Sequence, residues 1–171
     1  MSQGVVVWFT GLPSSGKTAL AQAVRQRLTV QGVPCCLLDG DAVRAELHPS
    51  LGYSDEDRTA FYETLGGLAA LLASQGLVVL TAATAPLQSH RESGKRDGLG
   101  FLEVFVDTPV EECERRDSKG LYAQARKGEI ENFPGVNASY ERPKSPAVTA
   151  PGGSSEGAVA QVCYAVVQAR G

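Results

Sequence analysis

Short apolar runs alternate along this chain with stretches of helical periodicity. Residues 5–10 read VVVWFT and stop at Gly11. A brief unbroken apolar run ending at a turn signal predicts a strand buried on both faces. Residues 17–31 place Leu20, Val24 and Leu28 at four-residue steps, the spacing of a helix face. Pro34 leads into a second strand at 35–38, where adjacent Cys35 and Cys36 should face opposite sides. Residues 56–75 read as a helix through Leu65, Leu68 and Leu72, stopping at Gly76. Strands are predicted at 77–82 (LVVLTA) and 101–106 (FLEVFV), then a helix at 109–116 with Glu111 and Glu112 near its start. From 117 to 146 the periodicity fades into charge, Gly and Pro, predicting a mobile region with one short helix around 122–127. A last strand at 147–150 and a closing helix at 154–169, with Val159, Val162 and Val166 on one side, complete the pattern.

Strands alternating with helices predict an α/β fold with a mainly parallel sheet, and ligands in such folds bind beyond the strands' carboxyl ends. The length of 171 residues fits one domain spanning 1–171, with no internal repeat. A net charge of -3 argues against a general nucleic-acid binder but leaves room for a local basic pocket. No run approaches the roughly 18 apolar residues of a membrane span. The start MSQGVVVWFTG lacks a basic region followed by an apolar stretch and cleavage site, so a cytoplasmic protein without membrane contact is expected. Cys35, Cys36, Cys113 and Cys163 match no zinc or disulfide spacing and are expected to be reduced thiols. His48 and His90 have no partner pattern and are expected at the surface.

The chemistry begins right after the first strand. Residues 11–18, GLPSSGKT, complete the pattern G-x-x-x-x-G-K-[ST] between a predicted strand and helix. Gly11, Ser14, Ser15 and Gly16 would let backbone N–H groups curl around a triphosphate, and the helix N-terminus adds a favourable dipole. Lys17 would reach the β/γ oxygens, and the Thr18 hydroxyl would ligate Mg²⁺. A chain of this length matches by chance on the order of one time in a hundred or less. The fold class is therefore a P-loop NTPase-type three-layer sandwich that binds a nucleotide with Mg²⁺. The loop alone does not separate a kinase from a GTPase or motor ATPase. Asp39 and Asp41 flank Gly40 at the end of the second strand. One carboxylate can hold the metal and one can accept a hydroxyl proton. A plain Asp-Gly turn with a helix cap at Asp41 is the competing reading.

The blocks LDGDAVRAEL, LGYSDEDR, RRDSKGLYAQARKGEIENFPGV and YERPKSP carry a family pattern. In order and spacing they resemble adenylylsulfate kinases over nearly the whole chain. The resemblance implies transfer of the ATP γ-phosphoryl to the 3′-hydroxyl of adenosine 5′-phosphosulfate, commonly in a homodimer. It assigns Asp39 base or Mg²⁺ duty, with Lys17, Asp41 and Lys119 beside it. Arg44 and Arg58 match arginines that hold the phosphosulfate, and Tyr53 and Phe133 match the pair that sandwiches the adenine. Phe61, Thr84, Ala85 and Leu121 fall at acceptor-side positions, and Arg115 falls on the ATP side. Lys119 and the segment to Phe133 match a lid, taken as about 117–146. A planar guanidinium fork suits a phosphosulfate, and aromatic faces suit a purine.

The departures gather on one wall. Phe61 stands where the family usually has an Asn, and Glu63 and Thr64 where it has two arginines. Thr84-Ala85-Pro86-Leu87 replaces Ile-Ser-Pro-Tyr, so no phosphoserine can form at Ala85. The nucleotide machinery is unaltered. Two alternatives to adenylylsulfate kinase activity therefore remain open. One is a nucleotide 3′-kinase for another 5′-modified acceptor, such as a cytidine diphosphoramidate. The other is a nucleotide-binding module without catalysis.

Overall fold

The computed structural model describes residues 3–171. Five strands form one sheet in the order β2-β3-β1-β4-β5. They are β1 (Val5–Thr10), β2 (Cys35–Asp39), β3 (Val78–Ala82), β4 (Gly100–Asp107) and β5 (Val148–Pro151), and every pairing is parallel. Each strand was legible as an apolar run because a parallel sheet is covered on both faces. All six β1 residues are buried.

Alternation along β1 divides the core in two. Val5, Val7 and Phe9 pack with α1 (Lys17–Val30) and α7 (Glu156–Arg170), through Leu20, Val24, Leu28, Val159, Val162 and Val166. Val6 and Trp8 face α3 (Asp55–Ala73), through Phe61, Leu65, Ala69 and Ala73. Cys35 packs on the first side and Cys36 on the second, as strand pleating requires. The result is the three-layer α/β sandwich expected from the sequence.

Ser54 caps α3 by accepting from the Asp57 N–H, and Asp55, Glu56 and Asp57 complement the helix dipole. Two helices escaped the periodicity argument: α2 (Gly40–Glu46) and α4 (Gln88–Glu92). Both are too short to show a repeat. The first replaces the expected Asp-Gly turn. The helix α5 (Val110–Arg116) and the short α6 (Leu121–Arg126) complete the element order.

His90 corrects an expectation. It is 5% exposed, stacked 4.6 Å from the Tyr62 ring, with Nδ1 unpartnered among the described residues. Burial, and then the charges of Arg58 and Arg91, push its pKa below the ordinary histidine value. A neutral imidazole can lie flat against a ring inside the core, and that is how a residue with no partner pattern comes to be buried. His48 is exposed, as expected.

Arg91 is fully buried beside it. Its guanidinium donates to Glu103 Oε2, the Ala85 carbonyl, Gln88 Oε1 and the Glu141 carbonyl, each at 2.8 Å. A buried cation is tolerable only when so fully paired. The network fixes the loop after β3, where Ala85 holds a left-handed φ of 44°.

Candidate active site

Strand register brings the chemistry to one level. Phe9 and Asp39 both pair with Ala82, so the ends of β1, β2 and β3 line up at the carboxyl edge of the sheet. The loop after β1 turns into α1 at Gly16, whose φ of 101° suits glycine. No side chain caps α1, so its first N–H groups are left for a ligand. Lys17 Nζ reaches back across the loop to the Gly11 carbonyl at 3.0 Å and the Leu12 carbonyl at 2.8 Å. Ser14 and Ser15 complete the cradle, and Ser15 Oγ is a buried group without a partner among the described residues.

Burial lowers the Lys17 pKa to about 8, against the opposing pull of Cys113, Asp41 and Asp39. The amine is therefore cationic below about pH 8 in the free protein and neutral above it. A bound polyphosphate restores the charge. We expect kcat/KM for ATP to fall as pH rises through about 8, while kcat, which reports the complex, holds to higher pH. A pH series of initial rates tests this, and parallel curves for the two parameters would refute it.

Thr18 Oγ1 donates to Asp39 Oδ2 at 2.6 Å. Asp39 Oδ1 accepts from the N–H groups of Asp41 and Ala42, both at 3.1 Å. The helix cap that the competing reading put at Asp41 is thus Asp39 itself, because α2 begins two residues earlier. Gly40 permits that start: a Cβ there would lie 3.1 Å from Ala83 Cβ and 3.2 Å from the Ala82 carbonyl. Asp41 is left 81% exposed at the cleft, facing Lys119 Nζ at 3.4 Å.

A single cleft of about 780 Å³ joins this end to a basic and aromatic end. Its walls include Arg44, Tyr53, Arg58, Phe61 and Thr84. Burial lowers the Arg58 pKa from its ordinary value; Tyr62 opposes this and Arg44 adds to it. An anion bound between the two guanidiniums relieves their repulsion.

The segment expected to be mobile is stitched over the cleft. Tyr122 Oη donates to the Pro13 carbonyl of the loop at 2.7 Å, and the Tyr122 ring meets Phe133 edge-on at 4.9 Å. Arg58 donates to the Asn132 carbonyl, and Asn132 Nδ2 donates to the Tyr53 carbonyl at 2.8 Å. Tyr140 and Thr10 share a hydrogen bond at 2.8 Å. Lys119, Leu121 and Phe133 all line the cleft. Phe133 is only 7% exposed, however, and its ring contact is with Tyr122; Tyr53 contacts arginines.

Two expected positions fall elsewhere. Arg115 points outward and pairs with Glu112, while its neighbour Arg116 lines the cleft and approaches the Ser15 carbonyl at 3.4 Å. One step along a helix turns a side chain by about 100°, so an arginine pair in sequence does not say which member faces inward. Ala85 is fully buried behind Thr84, its N–H bound by Tyr62 Oη at 3.0 Å. Arg116 and Tyr62, which line the cleft, and Asn132, which is bonded to Arg58 and Tyr53, are residues that sequence reasoning missed. Of these, Arg116 alone had a signal, the adjacent basic pair.

The adenylylsulphate kinase family model matches residues 3–150. The chain belongs to the adenylylsulfate kinase family. It is 50% identical over 149 residues to the adenylyl-sulfate kinase of Enterobacter sp. (strain 638), covering 85% of this chain and 74% of the relative. The Yersinia pestis adenylyl-sulfate kinase is 51% identical over 147 residues, covering 84% of this chain and 68% of the relative. Among solved structures, the Mycobacterium tuberculosis APS kinase CysC in complex with AMPPNP and APS superposes with a TM-score of 0.86 at 41% identity, covering 98% of each chain. The matched span takes in every residue named above as part of the adenylylsulfate kinase cleft.

Proposed function

We propose that this kinase transfers the γ-phosphoryl of ATP to the 3′-hydroxyl of adenosine 5′-phosphosulfate, giving 3′-phosphoadenylyl sulfate and ADP. One observation carries the reading. The Lys17 loop and the Thr18–Asp39 pair stand at one end of a cleft whose other end holds Arg44, Arg58 and aromatic rings. That is a phosphate cradle facing an anion-and-base site, at a spacing one cleft spans.

The residues divide the work as follows. The α1 N-terminus, Ser14, Ser15 and Lys17 hold the triphosphate. Arg44 and Arg58 hold the 5′-phosphosulfate, and Tyr53 offers an exposed ring face to the base. Asp39 takes the proton of the 3′-hydroxyl as its oxygen bonds to the γ-phosphorus and the bond to the ADP oxygen breaks. Lys17 and Lys119 offset charge on the transferring group. Segment 117–146 acts as a lid that keeps water out, which limits ATP hydrolysis.

Thr18 Oγ1 and Asp39 Oδ2, hard oxygen donors held together, fit Mg²⁺. Among the described residues no group of three or more His, Cys, Asp or Glu forms a metal cluster. Few protein ligands suit a cation that is completed by phosphate and water. When bound, Mg²⁺ supplies charge neutralisation at the β- and γ-oxygens. We place the enzyme in the cytoplasm, where ATP is at hand, as a homodimer. No described helix is long and apolar enough to cross a membrane.

Incubation with Mg·ATP and a panel of 5′-modified nucleotides, followed by product mass, tests the acceptor. Adenosine 5′-phosphosulfate should gain one phosphoryl group. Turnover of a cytidine diphosphoramidate, with none of the phosphosulfate, would transfer the same machinery to another acceptor.

A further inference from the structure

Arg44 is held in an unusual way for a residue that must meet an anion. Its guanidinium carbon lies 3.9 Å from the Phe61 ring centre and 4.4 Å from that of Tyr53. Nη1 donates to the Leu51 carbonyl at 3.2 Å and the Gly52 carbonyl at 2.9 Å. Both Nη1 hydrogens are therefore used. A guanidinium has five N–H donors, so Nη2 and Nε keep theirs. Among the described residues no carboxylate pairs with Arg44.

The two rings differ in burial. Tyr53 is 59% exposed. Phe61 is 2% exposed, packed with Trp8 and Leu65, and met edge-on by Tyr62 at 5.2 Å. Phe61 is thus the buried jaw and Tyr53 the exposed one. Phe61 also stands where the resemblance puts an amide. A phenyl ring there removes a donor to the acceptor, yet it adds a flat face for the neighbouring guanidinium.

We propose that Phe61 is a positioning residue, clamping Arg44 with Tyr53 so that the Nη2 and Nε hydrogens are presented to the acceptor's 5′ anionic group. This rests on the acceptor reading above. The clamp substitutes orientation of one guanidinium for a direct hydrogen bond. A flexible arginine must otherwise be ordered on each binding event.

A double-mutant cycle on the full-length protein tests it, with wild type, Phe61→Leu, Arg44→Gln and the pair. Rates are read with Mg·ATP and adenosine 5′-phosphosulfate. Phe61→Leu should raise the acceptor KM roughly threefold to thirtyfold, the range of a guanidinium–ring contact. The KM for ATP should not follow, and Phe61→Tyr should restore the acceptor KM. In the Arg44→Gln background Phe61→Leu should add little. Additive effects, or equal movement of both KM values, overturn the clamp. A second reading needs no acceptor. In ¹H–¹⁵N spectra of the free protein the Arg44 Nε–H should be shifted upfield by the rings, and Phe61→Leu should relax that shift. An unshifted signal in wild type overturns the clamp. Failure of wild type to turn over the phosphosulfate counts against the acceptor reading alone, and the spectra still decide the clamp.

Discussion

Lys17→Ala will reduce phosphoryl transfer by about a thousandfold or more, the scale on which a charge aimed at a transferring phosphoryl group acts. Lys17 is the half-buried cation of the proposed triphosphate cradle, bonded to the Gly11 and Leu12 carbonyls across the loop it serves. An alanine leaves the loop glycines and the α1 N-terminus in place, so weak nucleotide binding should survive. The loss should fall mainly on kcat, because charge on the γ-oxygens changes as the bond to ADP breaks. Single-turnover rates at saturating ATP separate the two. A variant that loses only ATP affinity would confine Lys17 to ground-state binding. Removal of the amine also abolishes the basic-side fall in kcat/KM expected near pH 8, which ties that titration to one residue.

The frame of this site could be read from the chain because its determinants are local. A buried strand, a glycine-rich turn and an amphipathic helix are written in consecutive residues, and GLPSSGKT lies at their junction. Asp39 and Asp41 were visible as a pair, but which of them caps α2 depends on where the helix starts. That start is set by the close approach of Gly40 to β3. The Arg91 network was not visible. Its partners Ala85, Glu103 and Glu141 come from three separated segments, and nothing in a helical period announces a fully buried arginine. The same holds for His90, whose place follows from the Tyr62 ring. Segment 117–146 is a further case. Its charge and glycine content suggested a loose loop, whereas Tyr122, Asn132 and Tyr140 tie it to the cradle, to α3 and to β1. Such bonds depend on side chains meeting across the fold, which composition does not encode.

Asp39→Asn is the sharper test of chemistry, because it separates what the carboxylate does for the fold from what it does for transfer. Asp39 Oδ1 caps α2 through the Asp41 and Ala42 N–H groups, and an asparagine oxygen caps about as well. The variant should therefore fold, with a melting temperature close to wild type. What it loses is negative charge beside Thr18, and with it the proton acceptor and the Mg²⁺ donor proposed above. Loss of a general base alone costs about a hundredfold to ten-thousandfold in rate, so kcat should fall by at least that range. The Mg²⁺ concentration needed for half-maximal rate should rise in parallel, since one hard anionic ligand has become a neutral one. A fall in kcat with no change in Mg²⁺ dependence would assign Asp39 to proton transfer and leave the cation to Thr18 and the phosphates. The reverse split would make it a metal ligand and turn attention to Asp41, exposed at the same edge and held by Lys119. Near-wild-type turnover at ordinary Mg²⁺ would remove Asp39 from the reaction and leave it as the cap of a short helix.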